Sequence, residues 1–216
     1  MKKNIFAALA LTAIASPALA HHPLGGLPME TLTHGLLSGA GHPVLGFDHL
    51  FFVVAVGILA LFTANRFLAP AAYISAMLVG CGLMYAGVAM PAAELVIVSS
   101  LVIAGGLLAS GRGVSPAAII ALFALFGLFH GSAFGGSIAG QEGGIGGAVL
   151  LGYLVGLGVT QYIIAIVAGW AASKAGTVSP ASVNARLVGA AIAGVGVFLG
   201  LEVIEGPIVE MLSAAA

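Results

Sequence analysis

The stretch HPVLGFDHLFFVVAVGILALF, residues 42–62, places two histidines and an aspartate at the head of an apolar run. From Leu50 to Phe62 every residue is apolar or glycine. A helix needs about 20 apolar residues to cross the hydrocarbon core, and the run over 43–63 reaches that length. Working outward, five more such runs lie near 70–90, 93–110, 115–137, 145–172 and 184–204. Composition agrees with this pattern. Of 216 residues, 61% are hydrophobic and 6% charged, and the mean hydropathy is +1.19. A soluble domain carries about a quarter charged residues, so these charges cannot cover a water-exposed surface. The expected fold is an all-α polytopic membrane protein with six transmembrane helices. Six Lys+Arg and a formal net charge of −1 supply no patch for nucleic acid. The single cysteine, Cys81, excludes a disulfide framework. No phosphate-binding G-x-x-x-x-G-K-[ST] loop occurs.

Residues 1–20 read as a secretory signal peptide. Lys2 and Lys3 precede a short apolar run, Ile5 to Ala15, and Ala18-Leu19-Ala20 fits the cleavage pattern. The alternative is a retained first helix. Cleavage after Ala20 starts the mature chain at His21-His22-Pro23. A free α-amine beside two imidazoles can capture a metal ion, or the pair is simply polar. Residues 21–41 are expected to form a periplasmic lead-in with a short helix near 29–38, lying on or dipping into the membrane. Residues 42–216 form the transmembrane domain. The mature cations Arg66, Arg112, Lys174 and Arg186 all fall on one side of the six spans, which the positive-inside rule makes cytoplasmic. Glu30, Glu94, Glu142, Glu205 and Glu210 fall on or near the other side. Both mature termini are then periplasmic, in a multi-pass protein of a bacterial inner membrane with the lipid bilayer as its surroundings. Gly152/Gly156 and Gly196/Gly200 are small-xxx-small pairs suited to close helix packing.

Ionisable groups inside a bilayer are costly and mark functional sites by default. His42, Asp48 and His49 lie at the outer end of the first span. If the helix starts at Pro43, His42 and His49 sit two turns apart on one face. Imidazole with carboxylate suits Ni(II), Co(II) or Zn(II), or Asp48 orients a liganding imidazole. The bland alternative is a capping and packing cluster with a buried ion pair. His130 lies about fifteen residues into the fourth span, in its outer half, Glu94 opens the third and Glu202 comes late in the sixth. These residues share one depth band, which points to a common interior site. Met77, Cys81 and Met84 share one helix face. They are soft ligands for Cu(I) or, more ordinarily, packing residues. Gln161 either lines a path or only bonds to a neighbouring helix.

The pattern H-P-x-x-G-x-D-H, carried by His42, Pro43, Gly46, Asp48 and His49, resembles that of the HupE/UreJ family, regarded as nickel or cobalt permeases of hydrogenase and urease gene clusters. Glu94 with Ser99 and Ser100 resembles the family's acidic start and serine-containing span. His130-Gly131 matches the start of its second motif, H-G-x-A-H-G-x-E. Phe134 stands where that motif has its second histidine, and Ser137 where it has its glutamate.

Three functions follow as expectations. The first is a permease, not an enzyme and without a prosthetic group, that takes up Ni(II) or Co(II). His21 and His22 collect the ion, His42, Asp48 and His49 strip part of its hydration shell, and His130 and Glu94 pass it inward. Ligation needs neutral imidazole, so uptake is expected to fail below about pH 6.5. The second is an intramembrane zinc hydrolase holding its metal through His42, His49 and His130. The third is a non-transporting metal-binding accessory protein, motivated by Phe134 and Ser137. Association into a homo-oligomer is compatible with the sequence.

Overall fold

A computed structural model describes residues 28–139 and 145–214. The signal-peptide reading, His21, His22 and Glu142 lie outside the described residues. Within them the chain forms seven α-helices and no strand: α1 (Leu32–Leu45), α2 (Phe47–Ala60), α3 (Leu68–Tyr85), α4 (Ala93–Ser110), α5 (Pro116–Ala139), α6 (Gly147–Lys174) and α7 (Val183–Ala214). Helices α3 to α7 are each long and apolar enough to cross a membrane. Helices α1 and α2 meet that test only as a pair, bent by 82°.

The solvent-type pattern is inverted. Along α6, Val149, Tyr153, Leu157, Gln161, Ala165 and Gly169 are buried. At the same four-residue spacing Leu151, Val155, Val159, Ile163 and Val167 are exposed. The outer stripe is wholly apolar, whereas the inner one holds the polar side chains. That arrangement suits a hydrocarbon surrounding, in which polar groups must be satisfied from within.

Small residues draw the helices together in three close pairs. Gly35 and Gly39 of α1 rest on the carbonyls of Val149 and Tyr153, while Gly152 and Gly156 of α6 rest on those of Leu32 and Leu36. Gly80 of α3 meets Leu128 of α5, and Gly131 and Gly135 of α5 meet the backbone of Met77 and Cys81. Gly105 of α4 faces Gly189 and Ala193 of α7, and Gly196 meets Leu101 and Val102. Lipid tails are as apolar as leucine, so close backbone packing of this kind drives association. It also accounts for Met77, Cys81 and Met84. Their face of α3 packs against the glycines of α5.

The first span departs from expectation. It is not one helix over 43–63, and His42 and His49 do not stack on one helix face. Pro43 lacks the N–H that would continue the ladder. Gly46 then adopts an extended conformation (φ −87°, ψ 106°). Its N–H donates to the His42 carbonyl at 3.1 Å, and its own carbonyl accepts from Leu50 at 2.9 Å to begin α2. The short helix expected over 29–38 is instead α1, started by the Thr31 side chain accepting from the His34 N–H. The expected boundary at 41/42 therefore falls inside a helix, because the glycine face of α1 is docked on α6. From Gly35 at Val149 to Gly57 at Ala165 and Gly169, the α1–α2 pair advances along most of α6, about 30 Å of helix axis. The last helix also runs ten residues past the expected end at 204, to Ala214.

The four cations gather at one end. Arg186 Nε donates to the Ala109 carbonyl at 3.2 Å, and Arg112 and Pro180 line one crevice. Arg66 lines a cavity of about 220 Å³ with Gly169 and Trp170, near the Lys174 end of α6.

A Cβ at Gly131 would collide with backbone, whereas one at Gly106 meets open space. Gly131→Ala is expected to lower stability in detergent by about 1–3 kcal/mol through overpacking. Gly106→Ala should raise it by up to about 1 kcal/mol through helix propensity. Thermal unfolding of the two variants checks this pair of opposite signs.

Candidate functional site

The elbow at Gly46 turns His42 at the end of α1 and His49 at the start of α2 into the bundle, where His130 of α5 meets them. The three imidazoles are 5%, 4% and 0% exposed. His130 is fourteen residues, about 21 Å along the axis, from Pro116 at the cation end. The cluster thus lies in the opposite half.

Hydrogen bonding fixes how these rings are used. Ser100 Oγ donates its single hydrogen to the Ile97 carbonyl at 2.6 Å. It must therefore accept at its 3.0 Å contact with His130 Nε2, so His130 carries its proton on Nε2. The lone pair on His130 Nδ1 then accepts from His49 Nδ1–H at 2.8 Å. Neutral His49 accordingly keeps its other lone pair on Nε2, the nitrogen that faces Asp48 Oδ2 at 3.7 Å. Two donors bound to one first-row ion at about 2.0–2.1 Å each stand about 3 to 4 Å apart. The Asp48–His49 separation falls in that range, and the Asp48 side chain is 26% exposed.

On the other arm, Tyr153 OH lies 2.9 Å from His42 Nδ1, and Ser137 Oγ lies 3.4 Å from it. Ser137 also donates to the Phe134 carbonyl at 2.8 Å. Phe134 itself is fully buried and sits against both histidines, with ring centroids 4.9 Å from His42 and 4.2 Å from His49. Phe52 stacks on His130 at 4.5 Å. Phe134 and Ser137, where the resemblance implies a histidine and a glutamate, are thus built into the cluster itself. Among the described residues, no three His, Cys, Asp or Glu side chains are disposed to hold one metal ion as they stand. What is present is an N,O pair at Asp48 and His49, backed by His130 and flanked by His42.

Other expected participants are placed elsewhere. Glu94 is exposed in the first turn of α4, and Glu202 is exposed on α7. No hydrogen bond or ion pair joins either to the histidines among the described residues. Tyr153 and Ser100 hold the histidines yet carried no sequence signal of their own beyond the serine's place in the resemblance. Tyr153 and Gln161 share the buried face of α6, eight residues apart, and that spacing of polar groups in an apolar helix is the signal that could have found them.

Compared with known proteins, the chain matches the profile of the family described as HupE / UreJ protein over residues 9–199. It is 28% identical over 181 residues to Protein HupE of Rhizobium leguminosarum bv. viciae, covering 77% of this chain and 92% of that protein. No solved structure matches it significantly.

Replacing Ser100 by alanine strands the buried His130 N–H. Ser100→Ala is expected to lower stability by about 1–3 kcal/mol. Ser99→Ala, at a neighbouring half-buried position, should stay within about 0.5 kcal/mol. Equal effects in thermal unfolding would reject the proton assignment along the chain from Ser100 to Asp48.

Proposed function

The chain belongs to the HupE/UreJ family, and from that premise we propose that it is a secondary permease carrying Ni(II) or Co(II) across the bacterial inner membrane into the cytoplasm. The observation that carries this reading is the His49–His130 contact of 2.8 Å between α2 and α5, beside Asp48. An ion arriving at Asp48 meets a carboxylate oxygen and the His49 Nε2 lone pair at a separation that needs little rearrangement. Both are donors that first-row divalent ions accept. His130 stabilises His49 from behind, as a neighbour does for a liganding imidazole. His42 and, ahead of the membrane, His21 and His22 would add nitrogen donors on the approach, and Glu94 would draw cations to the same end.

Phe134 supplies no donor where the resemblance implies a histidine. Fewer donors mean weaker retention, which suits a site that must release its cargo. The advance of α1–α2 along α6 supports six crossings, with the elbow as a break in the first. The cation end is then cytoplasmic by the positive-inside rule, and the termini are periplasmic after removal of residues 1–20. A dication gains about 4.6 kcal/mol from a 100 mV inside-negative potential, twice the single-charge value, so no further energy source is required. We prefer a carrier to a zinc hydrolase because the family is one of metal permeases and accessory proteins. The cavities of about 220 Å³ and 440 Å³ are also lined by other residues than the histidines.

The test is metal content by mass spectrometry in cells lacking their own nickel and cobalt importers. Expression of the protein should raise intracellular Ni or Co. His49→Ala and Asp48→Ala, at matched membrane levels, should each return it to background. An unchanged metal content with the folded wild-type protein would overturn the carrier reading and leave the histidines to be read as a catalytic or sensing site.

A further inference from the structure

One turn inward of the histidines lies a second polar pair that the carrier reading above does not use. Gln161 of α6 and Tyr73 of α3 are both fully buried. Tyr73 OH donates to Gln161 Oε1 at 2.7 Å. The other half of the amide, Nε2, is buried with no hydrogen-bond partner. A stranded buried N–H costs about 1–3 kcal/mol, and such groups call for an explanation.

Turning the amide over does not remove the cost. The Nε2–H would then donate to the Tyr73 oxygen, and the carbonyl oxygen would take up the orphaned position. Tyr73 partners one end of the amide and Nε2 has none, so an inter-helix bond to Tyr73 explains only half of the side chain. With the carbonyl outward, the vacant partner is an electrophile: a cation, or a hydrogen of a water bound to one.

The pair also lies on the continuation of the histidine cluster. The Tyr73 and His130 ring centroids are 6.1 Å apart. Phe52 bridges them, at 5.4 Å from Tyr73 and 4.5 Å from His130. Gly127, one turn below His130 towards the cation end, packs on the Tyr73 carbonyl. One turn below Gln161, Ala165 and Gly57 line the cavity of about 220 Å³ at that end.

We infer that Gln161, oriented by Tyr73, is a second station for a divalent transition-metal ion, offering its amide carbonyl to the ion or to ion-bound water between His130 and the cation end of the bundle. The station rests on the carrier reading and deepens it. A neutral oxygen donor binds such an ion more weakly than imidazole with carboxylate, so an ion that reaches Gln161 is released readily towards the cation end. The hydroxyl of Tyr73 matches either amide orientation, donating to the carbonyl or accepting from the amine, which lets the amide turn without losing its bond to α3.

The experiment uses the full chain in proteoliposomes loaded with a fluorophore that Co(II) quenches, together with Co(II) binding to the detergent-purified protein. Gln161→Leu and Tyr73→Phe should bind Co(II) within about twofold of wild type, since Asp48 and His49 supply the stronger donors. Both should take it up at least about tenfold more slowly, the effect of losing one hydrogen-bond-sized stabilisation along the path. The retained binding shows that each variant is folded, and Tyr73→Phe preserves shape if Gln161→Leu does not fold. Wild-type uptake rates in the folded variants would overturn the station while leaving the carrier intact. Wild-type protein that binds Co(II) but takes up none would overturn the carrier reading itself, and the station with it.

Discussion

Hydrocarbon offers a polar side chain no water, so each imidazole drawn into this bundle must find its partner on another helix. That constraint organises the structure around the contact between His49 and His130. The contact can form only if α2 reaches α5, and α2 reaches it because the chain breaks at Gly46. The break in turn requires that α1 be held elsewhere, which its glycine face accomplishes on α6. Ser100 and Tyr153 then satisfy the ring nitrogens at the two ends of the cluster. Removing any one of these supports leaves a buried donor or acceptor stranded, which is why packing and site geometry are coupled here.

The site that results is incomplete as a cage, and its chemistry follows from that. A closed set of four strong donors would retain a transition ion, as structural zinc sites do. Asp48 and His49 instead offer an N,O pair of a buried imidazole and a partly exposed carboxylate, and the hydrophobic ring of Phe134 occupies the space beside it. Below them, Tyr73 and Gln161 continue the polar line with a neutral hydroxyl and amide. Donor strength therefore falls from the elbow towards the cation end.

Much of this was legible from hydropathy and charge. The bounds of α3 to α6 follow the apolar runs closely, apart from α3, which stops at Tyr85 rather than near 90, and the cations mark one end as expected. The histidines were visible because an imidazole in a membrane span has no bland surface role. The elbow was not, since the apolar run resumes at Leu50, just past Gly46, Asp48 and His49, and the effect of Pro43 depends on what α1 docks against. Depth along a span could be counted, but the face could not. Glu94 and Glu202 share the depth of the histidines in sequence, yet both point outward. Tyr153 and Ser100 resembled ordinary packing residues until their hydroxyls were placed against ring nitrogens.

The claim on which the rest turns is that an ion binds between Asp48 and His49 with nitrogen and oxygen donors. X-ray absorption at the nickel edge, on the purified full-length protein loaded with Ni(II), tests it most directly. The expected spectrum shows a nitrogen and oxygen shell with imidazole scattering, and His49→Ala removes an imidazole from it. Sulfur in the shell would move the ion to Met77 and Cys81. A spectrum unchanged by His49→Ala would equally contradict binding at the elbow.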